Sequence, residues 1–226
     1  VVRAAVLYVL RCAAGERLPL NEGALRRVRI TLPHPSILSP SPGAAVVGGN
    51  VETSQRVVDL LLSAMALRSP SQGTMNNLSL GGPGWSLYET IGGGVGASPA
   101  GPGRSGRQTH MTNTRITDVE VLETRLPLRV AEFSLRRGSA GFGQHAGGEG
   151  LVRELVLLKG GQAALLAIGD SPRSGLAGGG AAQAGRWWIQ RGCLRQEWQG
   201  QAVLLHPGDR VRVETPGGAG WGLEGD

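Results

Sequence analysis

The chain is poor in several residue types, and each shortage excludes something. Two cysteines occur in 226 residues, Cys12 and Cys193, far apart and without CxxC spacing. That excludes a disulfide framework and a cysteine-based metal site, and it fits a reducing cytoplasm. Aromatics make up 4% of the chain, too few and too scattered for the stacking ladder of a single-strand nucleic-acid binder. Lysine is represented by Lys159 alone, against 22 arginines. The formal charge of +6 would suit a polyanion, but the arginines are spread along the whole chain without a dense block, so no nucleic-acid partner is expected. Long apolar runs are also missing. The first, Val1 to Ala14, is cut by Arg3 and Arg11 and is shorter than the roughly 20 residues a membrane span needs, so no membrane contact is expected. Arg11 sits where signal-peptide cleavage would need a small residue. The run instead reads as an amphipathic helix with Val2, Val6, Val9 and Leu10 on one face. With no Met or cap before Val1, the chain reads as beginning inside a helix of something longer.

Motif absences are equally sharp. Lys159 is not followed by Ser or Thr, so there is no GxxxxGK[ST] phosphate loop. There is no GxSxG nucleophile elbow and no HExxH. His34, His110, His145 and His206 have no ligand spacing, and no metal site is assigned. Gly92 to Gly96 follows a strand pattern but leads into more loop, which argues against a dinucleotide fingerprint.

Glycine is abundant, at 38 residues. It is clustered rather than periodic, which points to tight turns and close backbone approaches. One short strand is expected at Arg27 to Leu32, before Pro33, Pro35, Pro40 and Pro42 interrupt regular structure. Asn50 reads as the cap of the one long helix, with Glu52 in its first turn and Val57, Val58, Leu61, Leu62 and Met65 as its apolar stripe down to Leu67. Residues 74–80 and 86–91 read as strands around a Gly-Pro-Gly turn, and Thr117 or Asp118 as the cap of a short helix. From residue 126 the pattern is almost all β, with strands expected at 127–137, 151–158, 163–168, 186–190, 194–199, 201–205 and 209–214. The fold class is therefore α+β. Residues 1–125 form a helix-and-loop part, and residues 126–226 a predominantly antiparallel, sandwich- or barrel-like part.

The chemistry concentrates in His110 to Arg125, where His, Thr, Asn, Asp and Glu crowd together with little apolar content. His110 is the strongest acid–base candidate, because imidazole titrates near working pH. The competing reading is a histidine that bonds loop backbone. Thr112 and Asn113 lie beside it. Asn50, Glu52 and Thr53 offer a helix N-terminus, and Asn76 and Asn77 offer amides that suit a carboxylate or a developing oxyanion. Glu89 reads as an ordinary strand residue.

Together these stretches resemble the hydantoinase B/5-oxoprolinase family. The matching runs are PLNEG at 19–23, GGNVETSQRVVD at 48–59, SQGTMNN at 71–77 and YETIGGGVGA at 88–97. THMTNTRITDVEVLETR at 109–125 and PGDRVRVETPGGAGWG at 207–222 complete the set, all in family order. The resemblance implies the C-terminal part of the B-type subunit, or of the fused enzyme. Members couple ATP hydrolysis to opening a lactam or hydantoin ring, as in 5-oxoproline to glutamate; relatives carboxylate ketones. The resemblance places ATP in an A-type partner subunit or domain and a divalent metal in the N-terminal part of the B-type half, both outside this chain. Together with the chemistry of the residues it points to His110 or Glu52 as the proton handler, and to Asn50, Thr53, Asn76, Asn77, Thr112 and Asn113 as substrate contacts. The alternatives are a ketone carboxylase subunit and a non-catalytic structural half. The run at 167–176 keeps Arg173 but little else of the family's arginine-rich stretch, and the linker 98–108 is divergent.

Overall fold

The computed structural model describes residues 1–15, 18–110, 112–169 and 171–225. Met111 and Asp170, inside two of the stretches singled out above, lie outside the described residues.

Helix α1, Val2–Ala14, buries Val2, Ala5 and Val9, a spacing of three and four residues that makes one helical face. Val6 and Leu10, expected on that face, are only half-buried. The helix stops at Gly15, whose φ of 73° is left-handed, and Arg11 in the last turn suits the C-terminal dipole. Helix α2, Ser54–Ala64, is entered through a wide π-type turn, Gly49–Thr53. Asn50 lies within that turn, exposed, and caps nothing with its side chain. Its carbonyl instead accepts a hydrogen bond from the Ser54 hydroxyl. Val58 and Leu62 of α2 pack on Ala5 and Val9 of α1 as a small separate core. Met65, expected in the apolar stripe, is 48% exposed because the helix has already ended at Ala64. Helix α3, Val119–Arg125, is capped by the Asp118 carboxylate, which accepts from the backbone N–H of Glu120 at 3.0 Å and of Val121 at 3.4 Å.

The described residues form nine strands: β1 (Asn77–Gly82), β2 (Trp85–Thr90), β3 (Leu128–Arg136), β4 (Gly150–Leu157), β5 (Gly161–Leu166), β6 (Arg186–Arg191), β7 (Leu194–Glu197), β8 (Val203–Leu205) and β9 (Arg210–Glu214). They form two antiparallel sheets, β2-β1-β5-β8 and β3-β4-β9-β6-β7. The fold is α+β, as expected. Leu78, Leu80, Leu165 and Leu205 of the first sheet and Leu155, Leu157, Val211 and Val213 of the second belong to one buried cluster, so the sheets make a sandwich. The four-stranded sheet takes β1 and β2 from before residue 126 and β5 and β8 from after it.

Two strand expectations need correction. Residues 27–32 form no strand among the described residues. Their β-branched alternation finds no partner strand, and propensity without pairing does not hold an extended segment. Residues 74–76 stay outside β1, because Asn76 takes a left-handed φ of 48° that ends the ladder.

The abundant glycine is explained by the loops 92–106, 138–150, 173–185 and 216–222, which weave through each other by backbone hydrogen bonds such as Gly94 to Pro216 at 3.0 Å and Ala97 to Ala219 at 2.9 Å. A Cβ on Gly94 would lie 2.1 Å from both the Gly148 carbonyl oxygen and the Gly218 nitrogen. No side chain fits there. Among the described residues no helix is long and apolar enough to cross a membrane. Cys12 and Cys193 are both free and exposed.

Candidate active site

The site is built on one face of α2. Gln55 and Asp59, four residues apart, project from the same side of the helix toward the 109–112 loop. Asp59 Oδ1 lies 2.6 Å from His110 Nε2 and also accepts from the backbone N–H of Ser71 at 3.0 Å. Gln55 holds both flanks of the histidine: its Nε2 donates to the Thr109 carbonyl at 3.2 Å and to the Thr112 hydroxyl at 2.8 Å. His110 itself has a φ of 54°, a left-handed conformation that a non-glycine residue holds only when its surroundings impose it. The carboxylate in front and the glutamine on either side are that imposition. The His110 and Asp59 side chains are only 5% and 8% exposed.

The imidazole borders a cleft of about 1080 Å³ between α1, the end of α2 and the 98–104 loop. Tyr8 meets the His110 ring edge-on, with centroids 6.1 Å apart and planes at 74°. Burial pushes the Tyr8 phenol up, the neighbouring Cys12 adds to the rise, Arg68 opposes it and Asp59 adds a little more. Tyr8 therefore stays a neutral donor.

Glu52 occupies a second, adjoining cluster. Its carboxylate is 2% exposed and accepts from the Thr74 hydroxyl at 2.7 Å and from the Ile168 N–H at 3.2 Å. Burial pushes its carboxyl above the usual range, against those hydrogen bonds. Arg173 lies beside both clusters. Its Nη2 donates to the Ile168 carbonyl at 3.2 Å. A Cβ on Gly73 would fall 2.9 Å from Arg173 Nε and 3.1 Å from Asp59 Oδ2, so the guanidinium and the carboxylate edge the same small space. Only glycine leaves that space open. The one arginine kept in the 167–176 run therefore lies near the histidine's carboxylate partner.

The remaining sequence candidates disperse. Thr112 is buried against Gln55, and Asn113 is exposed beside a separate groove that Phe133 and Leu135 line. Asn50 is exposed and Thr53 half-buried. Asn76 Nδ2 donates to Gln72 Oε1 at 2.8 Å and to the Ile91 carbonyl at 2.9 Å, while Asn77 Oδ1 accepts from the Tyr88 hydroxyl at 2.9 Å. These bonds hold both asparagines at the start of β1, though Asn76 Oδ1 and Asn77 Nδ2 are buried without a hydrogen-bond partner among the described residues, and neither residue lines the cleft. Glu89 is no surface residue: it is buried in a salt bridge to Arg153 at 3.1 Å.

Asp59, Tyr8 and Arg68 were not candidates from sequence. A signal for Asp59 existed: a carboxylate directly between Val58 and the apolar Leu60–Leu62 run, where a solvated face is not expected. Among the described residues no three His, Cys, Asp or Glu side chains are grouped closely enough to hold a metal ion. The residues of this site do not fit a metal centre, and no chemistry is derived through one.

Comparison with known proteins gives a consistent answer. The model of the hydantoinase B/oxoprolinase family matches residues 1–224. 5-Oxoprolinase 1 of Arabidopsis thaliana is 46% identical over 226 residues, covering 98% of this chain, and the 5-oxoprolinase of Dictyostelium discoideum is 44% identical, covering 96%. The chain spans 18% of the length of each. Among solved structures, the ATP-dependent caprolactamase of Pseudomonas jessenii shares the fold with a TM-score of 0.80 at 23% identity, over 97% of this chain and 42% of that one. A nucleotide-free acetone carboxylase shares it more loosely, with a TM-score of 0.58 at 17% identity over 74% of this chain and 29% of that one. The chain belongs to the hydantoinase B/oxoprolinase family.

Proposed function

We propose that this chain is part of an ATP-dependent cyclic-amide hydrolase of the 5-oxoproline-to-glutamate type, and that His110 is its proton handler. The observation that carries the reading is the buried His110–Asp59 pair at 2.6 Å on the wall of a cleft. An Asp59 carboxylate accepting from Nε2 fixes the tautomer with hydrogen on Nε2 and the lone pair on Nδ1. It also stabilises the imidazolium once a proton arrives.

An amide carbonyl is a weak electrophile, and phosphoryl transfer from ATP to its oxygen, in the A-type half of the assembly, is what makes it attackable. What this chain contributes follows from its own residues. His110 Nδ1 takes a proton from the attacking water as its oxygen bonds to the ring carbonyl carbon. The imidazolium then returns that proton to the ring nitrogen as the carbon–nitrogen bond breaks, leaving an acyl phosphate from which a second water releases inorganic phosphate, and the histidine ends as it began. Gln55 and Asp59 hold the ring in place through the cycle. Tyr8, neutral and edge-on, closes one side and donates toward the cleft. Glu52, with its raised carboxyl, is a second proton carrier in the adjoining cluster. The A-type half and the N-terminal part of the B-type half are the proposed partners. They account for the length that the 5-oxoprolinases have and this chain does not.

Identities of 46% and 44% to 5-oxoprolinases, against fold-level likeness alone to a ketone carboxylase, favour hydrolysis over carboxylation. The test is 5-oxoproline-dependent ATP hydrolysis by the intact assembly. His110→Ala should abolish most of it, and unchanged turnover would remove His110 from the mechanism.

A further inference from the structure

We propose that the cleft beside His110 binds the anionic group of an acid-bearing ring, with Arg68 and Arg104 supplying the opposite charge. This rests on the reading of the chain as part of a cyclic-amide hydrolase and names the substrate class of that same site.

The cleft is cationic. Arg68 and Arg104 both line it, and among the described residues no Asp or Glu does. The carboxylate behind its wall, Asp59, is already engaged by His110 and by the Ser71 N–H. Arg68 follows α2 and is half-buried, with Nη1 donating to the Gly96 carbonyl at 2.9 Å. The Gly96 backbone is itself held in place: its N–H donates to the Ser71 hydroxyl at 3.0 Å, and a Cβ there would lie 1.8 Å from the Ser69 carbonyl oxygen. One nitrogen of the guanidinium is thus anchored, and the planar fork is held with its other N–H groups available to a carboxylate. Arg68 also lies close enough to Tyr8 to pull against the burial of the phenol. The guanidinium, the phenol and the edge of His110 therefore share one space.

Arg104 approaches from the loop that closes the cleft. Its carbonyl is tied to the Val95 N–H at 3.0 Å, while its side chain is exposed. Leu62, Leu67 and Val95 supply the apolar part of the lining. The surface has a place for a carboxylate, a place for ring methylenes, and a base beside them. A small ring carrying a carboxylate meets all three, whereas an unsubstituted lactam leaves two guanidinium groups unanswered.

Calorimetric titration of the assembled enzyme without ATP tests this. The probes are 5-oxoproline and 2-pyrrolidinone, the same ring without its carboxylate. The wild type should prefer the acid. Arg68→Gln should weaken binding of the acid at least about tenfold, as expected for loss of a charge-assisted pair, and weaken the neutral ring less, so that the preference collapses. Arg104→Gln should act in the same direction. It also serves as the control for folding, since its side chain is exposed and Arg68 has a structural bond to Gly96. An acid Kd unchanged within twofold in both variants overturns the proposal. So does an equal loss for both rings, which is the mark of a merely structural arginine, and so does a wild type that does not bind the acid. Turnover on the same preparations reads the other question. Acid binding lost in the variants, together with no ATP hydrolysis on any cyclic amide, would sink the hydrolase reading and leave the anion subsite standing.

Discussion

Of the acid–base pairs buried among the described residues, two are buried for different ends. Glu89 and Arg153 reach across the sandwich from β2 and β4, with side chains 1% and 0% exposed. Thr117 N–H also donates to Glu89 at 3.2 Å, and Phe133 lies under the guanidinium at 4.9 Å. Everything around that pair is protein. Asp59 and His110 are nearly as dry, yet their imidazole forms part of a cleft wall and sits at a left-handed φ. Burial alone does not separate a clasp from a site. What separates them is the space in front of the pair and the backbone strain accepted to aim it.

The sharpest way to break that comparison is on rate. His110→Ala in the intact enzyme should cost about 10² to 10⁴ in 5-oxoproline-dependent ATP hydrolysis, the usual worth of a positioned general base, beyond the stability lost by stranding the Asp59 carboxylate. A variant that loses stability instead of rate would make this pair a clasp too.

The converse experiment is on stability. Arg153→Met strands the Glu89 carboxylate in the core, and breaking one side of a buried pair costs about 3–5 kcal/mol. For a chain of this size each kcal/mol moves Tm by roughly 2–4 °C, so thermal melts should fall by about 6–20 °C. The double variant Glu89→Leu with Arg153→Met should recover most of the loss, because apolar replacements of a buried pair are often neutral. Failure to recover would mean that the pair does more than join the sheets.

How far each pair was legible in sequence follows from the same contrast. The seven C-terminal strands were readable to within a few residues, because period-two alternation and Gly or Pro turns are local signals. His110 stood out because polar neighbours crowd it within the same loop. Asp59 did not, since its partner lies 51 residues away and nothing local says which face of α2 turns toward that loop. Glu89 and Arg153, 64 residues apart, carry no local mark at all, and Glu89 passed for a surface strand residue. The alternating run at 27–32 made the opposite error: a local strand signal with no neighbour to pair with. Asn76 and Asn77 looked like ligand amides by composition, whereas their hydrogen bonds go to Gln72, Ile91 and Tyr88.

A smaller effect sharpens the site half of the comparison. Gln55→Leu removes the bonds to Thr109 and Thr112 while keeping the volume, and it leaves a buried carbonyl and hydroxyl unanswered at about 1–3 kcal/mol. If Gln55 positions His110, the variant should lower kcat more than it raises KM, and Gln55→Glu should not rescue it, because a carboxylate cannot donate to the Thr109 carbonyl. A stability loss with kcat intact would confine Gln55 to structure.

The smallest predicted effect is on pH, and two carboxylates outside the pairs give opposite signs. At Glu149, burial alone would raise the pKa, but the Ser139 hydroxyl and the backbone N–H groups of Ser139, Gly138 and Ala140 outweigh it and hold the carboxyl below its usual range. A depressed folded pKa means that the stabilisation is present above the unfolded value near 4.3 and is lost as pH falls through the folded value. At Glu52 burial wins and the carboxyl is raised. The folded state then holds that proton more tightly than the unfolded chain does. Ionising Glu52 costs stability above its raised value, and the cost lifts as pH falls below it. Thermal melts of Glu149→Gln and Glu52→Gln against wild type, from pH 3.5 to 8, read both signs. The wild-type advantage over Glu149→Gln should grow as pH rises from acid, and the advantage over Glu52→Gln should shrink over the same range. Parallel profiles for the two variants would mean that Glu52 is held as firmly ionised as Glu149. That would remove it as a second proton carrier beside the His110 cleft.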